Sequence, residues 1–222
     1  MPAAGSSSGT VRPPRPLVTL ALGALSVLVI ALTGRLAVLP EAQTAQTGLV
    51  LWFNHPPQPV SAVFAVVNPV LRPVPLAVVS LLLVGWILLR APSTSQRLEI
   101  VRALVVALVL AEVMAQVVKR LAGQPRPLSV ISGLDNHGYP TDPHGNAYPS
   151  AHTALVVAAV SALWPWMSWP QRIVGLAFAL LVACNRIYIG AHWPLDVIGG
   201  AAIGLLAGTI TWSIAARWPI HR

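Results

Sequence analysis

Apolar residues occur in this chain in runs long enough to cross a membrane as helices. The first run covers residues 17–39. It is long for a cleaved secretory signal and shows no clear small-residue cleavage site, so we expect an uncleaved helix. Residues 41–68 mix short apolar pieces with aromatic residues, histidine and proline, which favours a position at the outer membrane interface. Further runs predict five more crossings: residues 71–89, 100–118, 151–164, 173–187 and 193–215.

The composition supports an all-α integral membrane protein built as a six-helix bundle. Of the 222 residues, 55% are hydrophobic and 9% are charged, whereas a soluble domain has about 25% charged residues. The net charge is +8, but the cations do not form a continuous basic patch, so we expect no nucleic-acid partner. Cys184 is the single cysteine, which excludes an intrachain disulfide and a cysteine metal cluster.

The distribution of arginine predicts the orientation of the bundle. Cytoplasmic loops collect positive residues, and one side of the predicted bundle holds Arg12, Arg15, Arg90, Arg97, Arg102, Arg172, Arg217 and Arg222. We therefore expect cytoplasmic termini, with residues 1–16 as a disordered tail and residues 17–222 as a single membrane domain. The other side holds cations that oppose the rule, which a function there would explain: Arg35, Arg72, Lys119, Arg120, Arg126 and Arg186.

Three polar segments lie at predicted outer ends of the helices. The lysine–arginine segment, residues 119–127, follows the third crossing and opens a loop of about residues 121–149. Loops of such length are usually functional. Lys119 offers a point charge and Arg126 a planar fork, which are the two common ways of holding phosphate. A simpler alternative is that both are helix-end cations reaching for the interface.

The serine–histidine segment, residues 148–152, opens the fourth crossing. Ser150 is suited to cap this helix, whose free N–H groups would then form an anion site. His152 falls in the first turn, beside any anion held there. An ordinary helix cap followed by a histidine is again the simpler alternative.

The histidine–aspartate segment, residues 185–196, joins the last two crossings. Pro194 suits the first turn of a helix, which places His192 near the helix start and Asp196 four residues later. At that spacing a carboxylate can bond to one ring nitrogen and leave the other as a nucleophile. Arg186 adds a cation at the end of the preceding helix.

By topology alone, the three segments face the same side of the membrane. Besides Arg120, they combine three cations (Lys119, Arg126 and Arg186), two helix N-termini, two histidines and one carboxylate, which are the groups that phosphoryl transfer needs. No set of carboxylates or histidines has the spacing of a two-metal site. The sequence therefore predicts metal-independent chemistry without a cofactor.

The three segments resemble those of the type 2 phosphatidic acid phosphatase (PAP2) superfamily, whose pattern is matched here by Lys119-x6-Arg126-Pro127, Pro149-Ser150-Ala151-His152 and Asn185-Arg186-x5-His192-x3-Asp196. The resemblance implies the six-helix bundle of its membrane members and a core shared with the vanadium haloperoxidases. Two residues differ from the commonest pattern: Ala151 replaces glycine and Asn185 replaces serine. Neither change removes a charge or the nucleophile.

The resemblance also implies a role for each residue. His192 would attack phosphorus to form a phosphohistidine, and Asp196 would orient it. His152 would protonate the leaving oxygen and then activate water. The phosphoryl oxygens would be held by Lys119, Arg126, Ser150, the Ala151 N–H and Arg186.

Several polar residues are expected to play smaller parts. Glu112, within the third crossing, could pair with a buried donor or act on Lys119. We expect Glu112 and Asn185 to lie behind the site, acting through its residues and not on the substrate directly. The long loop also contains residues that could bind a metal or a head group but are more simply solvated: Asp135, His137, Asp142 and His144.

The expected function is that of a lipid phosphatase in the cell membrane, with its site on the non-cytoplasmic side. Expected substrates are phosphatidylglycerol phosphate, a polyprenyl diphosphate or phosphatidate. Two alternatives stay open: a phosphotransferase that uses the same phosphohistidine, and an anion or lipid transporter that is not an enzyme. The sequence leaves the oligomeric state open.

Overall fold

The computed structural model describes residues 15–91, 93–137 and 145–217. Within these ranges the chain is helical and contains no strand, as predicted. Most of the predicted tail, including Arg12, lies outside the described residues, as do Arg222 and the loop residues Asp142 and His144.

The described residues form α-helices whose order and bounds are α1 Pro16–Ala37, α2 Pro40–Asn54, α3 Val60–Val70, α4 Pro73–Arg90, α5 Thr94–Ala122, α6 Pro127–Val130, α7 Ala151–Leu163, α8 Trp169–Tyr188 and α9 Pro194–Arg217. The six predicted crossings correspond to α1, α4, α5, α7, α8 and α9. Four helical segments of the described chain are long and apolar enough to span a membrane, namely α1, α5 continued through α6, α8 and α9. The full count of six stays a prediction.

Two regions differ from the expected bounds. Residues 41–68, expected as short interface pieces, fold into the two helices α2 and α3. The polar loop after the third crossing begins later than expected, because α5 continues to Ala122 before Gly123 ends it with a φ of 63°. Ser93 caps the other end of α5, its hydroxyl oxygen accepting a hydrogen bond from the Gln96 N–H at 3.2 Å.

Helix α9 lies at the centre of the bundle and packs against α1, α5 and α7. Small residues allow this close approach: a side chain at Gly204 would meet the Ala154 carbonyl oxygen at 2.5 Å. Buried alanines fill the same interface, contributed by α5 (Ala107, Ala111, Ala115), α7 (Ala154, Ala158, Ala162) and α9 (Ala207). The small residues of α9 therefore serve close helix packing.

We expect Gly204→Ala to destabilise the fold by about 1–3 kcal/mol, because the added methyl group would be forced against the backbone of α7. Gly48→Ala is the matched control, since a methyl group at Gly48 of α2 meets nothing within 4 Å. Thermal unfolding in detergent should therefore show a lower midpoint for Gly204→Ala alone. Equal midpoints for the two variants would contradict this packing.

Candidate active site

The structure brings the three polar segments together where α5 ends and α7 and α9 begin. Backbone and side-chain hydrogen bonds join them directly: the Ser150 N–H donates to the Asp196 carbonyl oxygen at 3.0 Å. The Trp193 indole N–H donates to the Pro125 carbonyl oxygen at 2.9 Å. Each segment is thus tied to another that is distant in the sequence.

The chain that returns from the long loop is bonded along the lysine–arginine segment. The Ala147 N–H donates to the Gln124 carbonyl oxygen at 2.7 Å, and the Asn146 amide donates to the Lys119 carbonyl oxygen at 3.1 Å. The Arg126 Nε–H donates to the Gly145 carbonyl oxygen at 3.2 Å. These contacts fix the backbone that carries both predicted phosphate-binding cations.

His192 and Asp196 form the predicted pair. The His192 Nδ1 atom lies 3.4 Å from Asp196 Oδ2, and the two side chains are 4% and 0% exposed. The same carboxylate oxygen accepts the Trp193 N–H at 2.8 Å, which holds the carboxylate at the start of α9. Because Nδ1 faces the carboxylate, Nε2 is the ring nitrogen suited to attack a substrate.

The surroundings of His192 favour its neutral form. Burial lowers the pKa of His192 well below its usual value of about 6.5. Positive charge lowers this pKa further, and it comes from Lys119, Arg126, Arg186 and protonated His152. These side chains therefore lie close enough to His192 to act on it electrostatically.

Ser150 caps α7, as the sequence predicts. Its hydroxyl oxygen lies 3.5 Å from the Thr153 N–H and accepts the Thr153 hydroxyl at 3.0 Å. Ser150 is fully buried, whereas Ala151 and His152 are half-buried at the start of the helix. Sequence reasoning did not single out Thr153, although its position three residues after a capping serine is the relevant signal.

Tyr148 anchors the serine–histidine segment to α1. Sequence reasoning did not single out this residue either. Its hydroxyl group donates to the Ile30 carbonyl oxygen at 2.8 Å and lies 2.9 Å from the Thr33 hydroxyl. The ring is fully buried and packs where Gly199 of α9 has no side chain. Burial raises the pKa of Tyr148, so the phenol stays neutral.

The residues expected behind the site lie in different surroundings. Glu112 accepts a hydrogen bond from the Gln116 amide, one turn further along α5, at 2.7 Å. Asn185 is buried beside Arg186, and neither atom of its amide has a hydrogen-bond partner among the described residues. The same holds for the side-chain amide of Gln124, another residue that sequence reasoning missed.

The two described loop residues differ from each other. Asp135 is exposed, as expected, and lies 3.2 Å from the His55 ring nitrogen. The expectation of a freely solvated side chain is wrong for His137, whose ring stacks on Tyr188 at 4.1 Å between centroids. Within the described ranges, no three histidine, cysteine or acidic side chains form a group that could hold a metal ion.

Comparison with known proteins places this architecture in a family. The sequence model of the PAP2 superfamily matches residues 100–219. An undecaprenyl-diphosphatase of Sulfolobus acidocaldarius is 34% identical over 122 residues, which cover 54% of this chain and 57% of that protein. A lipid A 1-phosphatase of Porphyromonas gingivalis is 29% identical over 111 residues, covering 44% of this chain and 24% of that protein. The matched region thus spans 57% and 24% of these relatives' own lengths.

Two solved structures share the arrangement of helices. Aquifex aeolicus LpxE superposes with a TM-score of 0.62 at 26% identity, covering 76% of this chain and 95% of that one. A transmembrane PAP2-type phosphatidylglycerolphosphate phosphatase from Bacillus subtilis superposes with a TM-score of 0.65 at 16% identity, covering 92% of this chain and 98% of that one, which shows a common fold. With its three segments assembled at the helix ends and its sequence matched over residues 100–219, the chain belongs to the PAP2 superfamily.

Proposed function

We propose that this protein is a metal-independent phosphatase of membrane lipid phosphates that works through a phosphohistidine. The observation that carries the proposal is the buried pair of His192 and Asp196, whose side chains lie 3.4 Å apart. Burial and the positive charge of Lys119, Arg126 and Arg186 lower the pKa of His192, which favours a neutral ring. A neutral imidazole is a nucleophile, and the cations would stabilise the negative charge of the phosphoryl group that it attacks.

In the first step, His192 Nε2 forms a bond to phosphorus as the bond from phosphorus to the lipid oxygen breaks. His152 gives its proton to that leaving oxygen, so the lipid departs as an alcohol or, from a diphosphate, as a monophosphate. Asp196 stabilises the positive ring that His192 becomes while it carries the phosphoryl group.

In the second step, water replaces the histidine. His152, now neutral, takes a proton from a water molecule whose oxygen attacks phosphorus. The bond from phosphorus to Nε2 breaks, phosphate leaves, and both histidines return to their starting protonation states.

The phosphoryl oxygens would be held by charge and by helix geometry. Lys119, Arg126 and Arg186 supply positive charge, and the start of α7 supplies the Ala151 N–H and the Ser150 hydroxyl. Removal of a single donor from such a site usually costs about 10²–10³-fold in rate.

Two findings support a lipid as the substrate. The site lies at the ends of α5, α8 and α9, which are apolar enough to span a bilayer, so a phosphate there could remain attached to a hydrocarbon tail in the membrane. Several similar proteins are named for lipid phosphates. Phosphatidylglycerol phosphate, a polyprenyl diphosphate and phosphatidate are the proposed substrates, presented on the non-cytoplasmic side as the arginine distribution favours.

The purified protein should release inorganic phosphate from at least one of these lipids with no added acceptor and in the presence of a chelator. His192→Ala should lower kcat by more than about 10³-fold, because it removes the proposed nucleophile. His55→Ala is the control, since His55 is an exposed histidine outside the three segments. Colorimetric phosphate release is the measurement.

Three results would each contradict a different part of the proposal. Loss of activity with chelator would remove the metal-independent mechanism. Transfer to an added acceptor without hydrolysis would identify a phosphotransferase. Transport that survives His192→Ala, with no phosphate released by the wild type, would identify a transporter.

The His192 ring should remain neutral as the pH falls below about 6.5, because its lowered pKa moves protonation to more acidic pH. Lys119→Met should raise that pKa, since it removes one of the positive charges acting on the ring. Nitrogen-15 NMR of labelled histidine in detergent, assigned by comparison with His192→Asn, measures both midpoints. A wild-type midpoint at or above about 6.5 would contradict the proposed electrostatics.

A further inference from the structure

A second set of contacts reaches the site from outside the region matched by the family. Asn54, the last residue of α2, is 1% exposed. Its Nδ2 group donates to the Tyr188 carbonyl oxygen at 2.7 Å and to the Asp135 carbonyl oxygen at 3.0 Å. Its Oδ1 atom accepts the Asp135 N–H at 2.8 Å. Both amide protons and the amide oxygen are therefore used.

An aromatic stack supports the same junction. The Tyr188 ring lies between Phe64 of α3, at 4.6 Å, and His137 of the loop, at 4.1 Å, with interplanar angles of 9° and 11°. A His137 ring nitrogen lies 2.8 Å from the Asn54 carbonyl oxygen. The Asn68 amide donates to the His137 carbonyl oxygen at 2.9 Å. Helices α2 and α3 thus hold both the end of α8 and the loop that covers it.

The start of α9 is tied to α2 by a separate contact. The Leu195 N–H donates to Gln46 Oε1 at 2.9 Å, and it is one of the first N–H groups of α9, which lack a partner within the helix. The Gln46 amide is itself held by its Nε2–H bond to the Ala42 carbonyl oxygen at 2.9 Å.

The segment between these two attachments carries His192. Its backbone is hydrogen-bonded to Arg186. The Arg186 carbonyl oxygen accepts hydrogen bonds from the N–H groups of Ala191 and His192, each at 3.2 Å. These bonds hold His192 against Arg186, which lies two residues before the first attachment, while Asn54 and Gln46 fix the ends of residues 188–195 to α2.

We propose that Asn54, assisted by Gln46, is a positioning residue that holds Arg186 and His192 in register with the rest of the site. The proposal rests on the function proposed above for those two side chains. A misplacement of about 1 Å can cost roughly 10²-fold in rate, so loss of one attachment should be measurable.

The test is Asn54→Ala in the full-length protein. We expect kcat to fall by about 10–10²-fold with KM little changed, because the nucleophile and the phosphate-binding arginine move together relative to the transition state. Gln43→Leu is the matched control. It removes another amide of α2, one that donates to the Ala37 carbonyl oxygen at 3.1 Å, and it should keep the wild-type kcat.

A double-mutant cycle separates positioning from general destabilisation. The effects of Asn54→Ala and Arg186→Lys on kcat/KM should be non-additive, because both act through the position of one guanidinium group. The effects of Gln43→Leu and Arg186→Lys should add. Additive effects in the Asn54 cycle would overturn the proposal.

Hydrogen exchange measured by mass spectrometry gives a readout that does not depend on activity. Asn54→Ala should speed amide exchange in residues 186–196 and leave residues 203–212 unchanged. If the wild type hydrolyses no lipid phosphate but this exchange pattern is found, the proposed function fails while the attachment stands. Wild-type exchange and wild-type kcat in a folded Asn54→Ala variant would overturn the attachment.

If Asn54→Ala does not fold, Gln46→Leu provides the test of the positioning proposal. It leaves Asn54 in place and removes the attachment at Leu195 alone. A selective fall in kcat and faster exchange near residue 195 would support the proposal. Unchanged kcat and unchanged exchange would overturn it.

Discussion

Three cationic side chains around one neutral, buried histidine form the constraint on which this site depends. Lys119, Arg126 and Arg186 repel one another, and each would be better hydrated if it turned toward water. Hydrogen bonds fix the backbone that carries two of these side chains. The Asn146 amide donates to the Lys119 carbonyl oxygen, and the N–H groups of Ala191 and His192 donate to the Arg186 carbonyl oxygen. Under the proposed function, a bound phosphoryl dianion would relieve this repulsion. Burial, together with these positive charges, lowers the pKa of His192 and favours its neutral form.

The packing of the bundle brings together the chain segments that carry these cationic residues. Glycine and alanine at the contacts among α5, α7 and α9 let the helix axes approach closely, and this closeness limits how far one helix can slide along another. The end of α5 and the starts of α7 and α9 consequently meet in one place. Tyr148, anchored on α1, and Asn54, anchored on α2, then fix the two connecting segments that packing alone leaves free.

The parts of the site that could be predicted from the sequence depend on residues close together in the chain. The His192–Asp196 pair spans one helical turn, and Ser150 caps the helix that follows it directly, so local periodicity and helix chemistry are enough to find both. The long apolar runs likewise predicted the main helices. The convergence of the three segments followed from topology and from the resemblance to the PAP2 superfamily.

What could not be predicted lies in contacts between distant residues. Asn54 bonds to residues 81 and 134 positions away, and no local pattern marks an asparagine at a helix end as the partner of a remote carbonyl group. A tryptophan near a helix end usually suggests an interface anchor, whereas the Trp193 indole N–H donates to the Pro125 carbonyl oxygen. Helices α2 and α3 were not predicted, because their apolar residues are interrupted by polar and proline residues. Tertiary contacts, which no local pattern shows, stabilise these helices.

The central claim is that His192 carries the phosphoryl group during turnover. Rapid acid-free quenching of the enzyme with a labelled lipid phosphate, followed by peptide mass spectrometry at alkaline pH, tests this claim directly, because phosphohistidine survives base and is lost in acid. The account predicts a phosphate on the imidazole of His192, absent from His192→Ala. A phosphate found on another side chain, or phosphate release from His192→Ala at the wild-type rate, would contradict it.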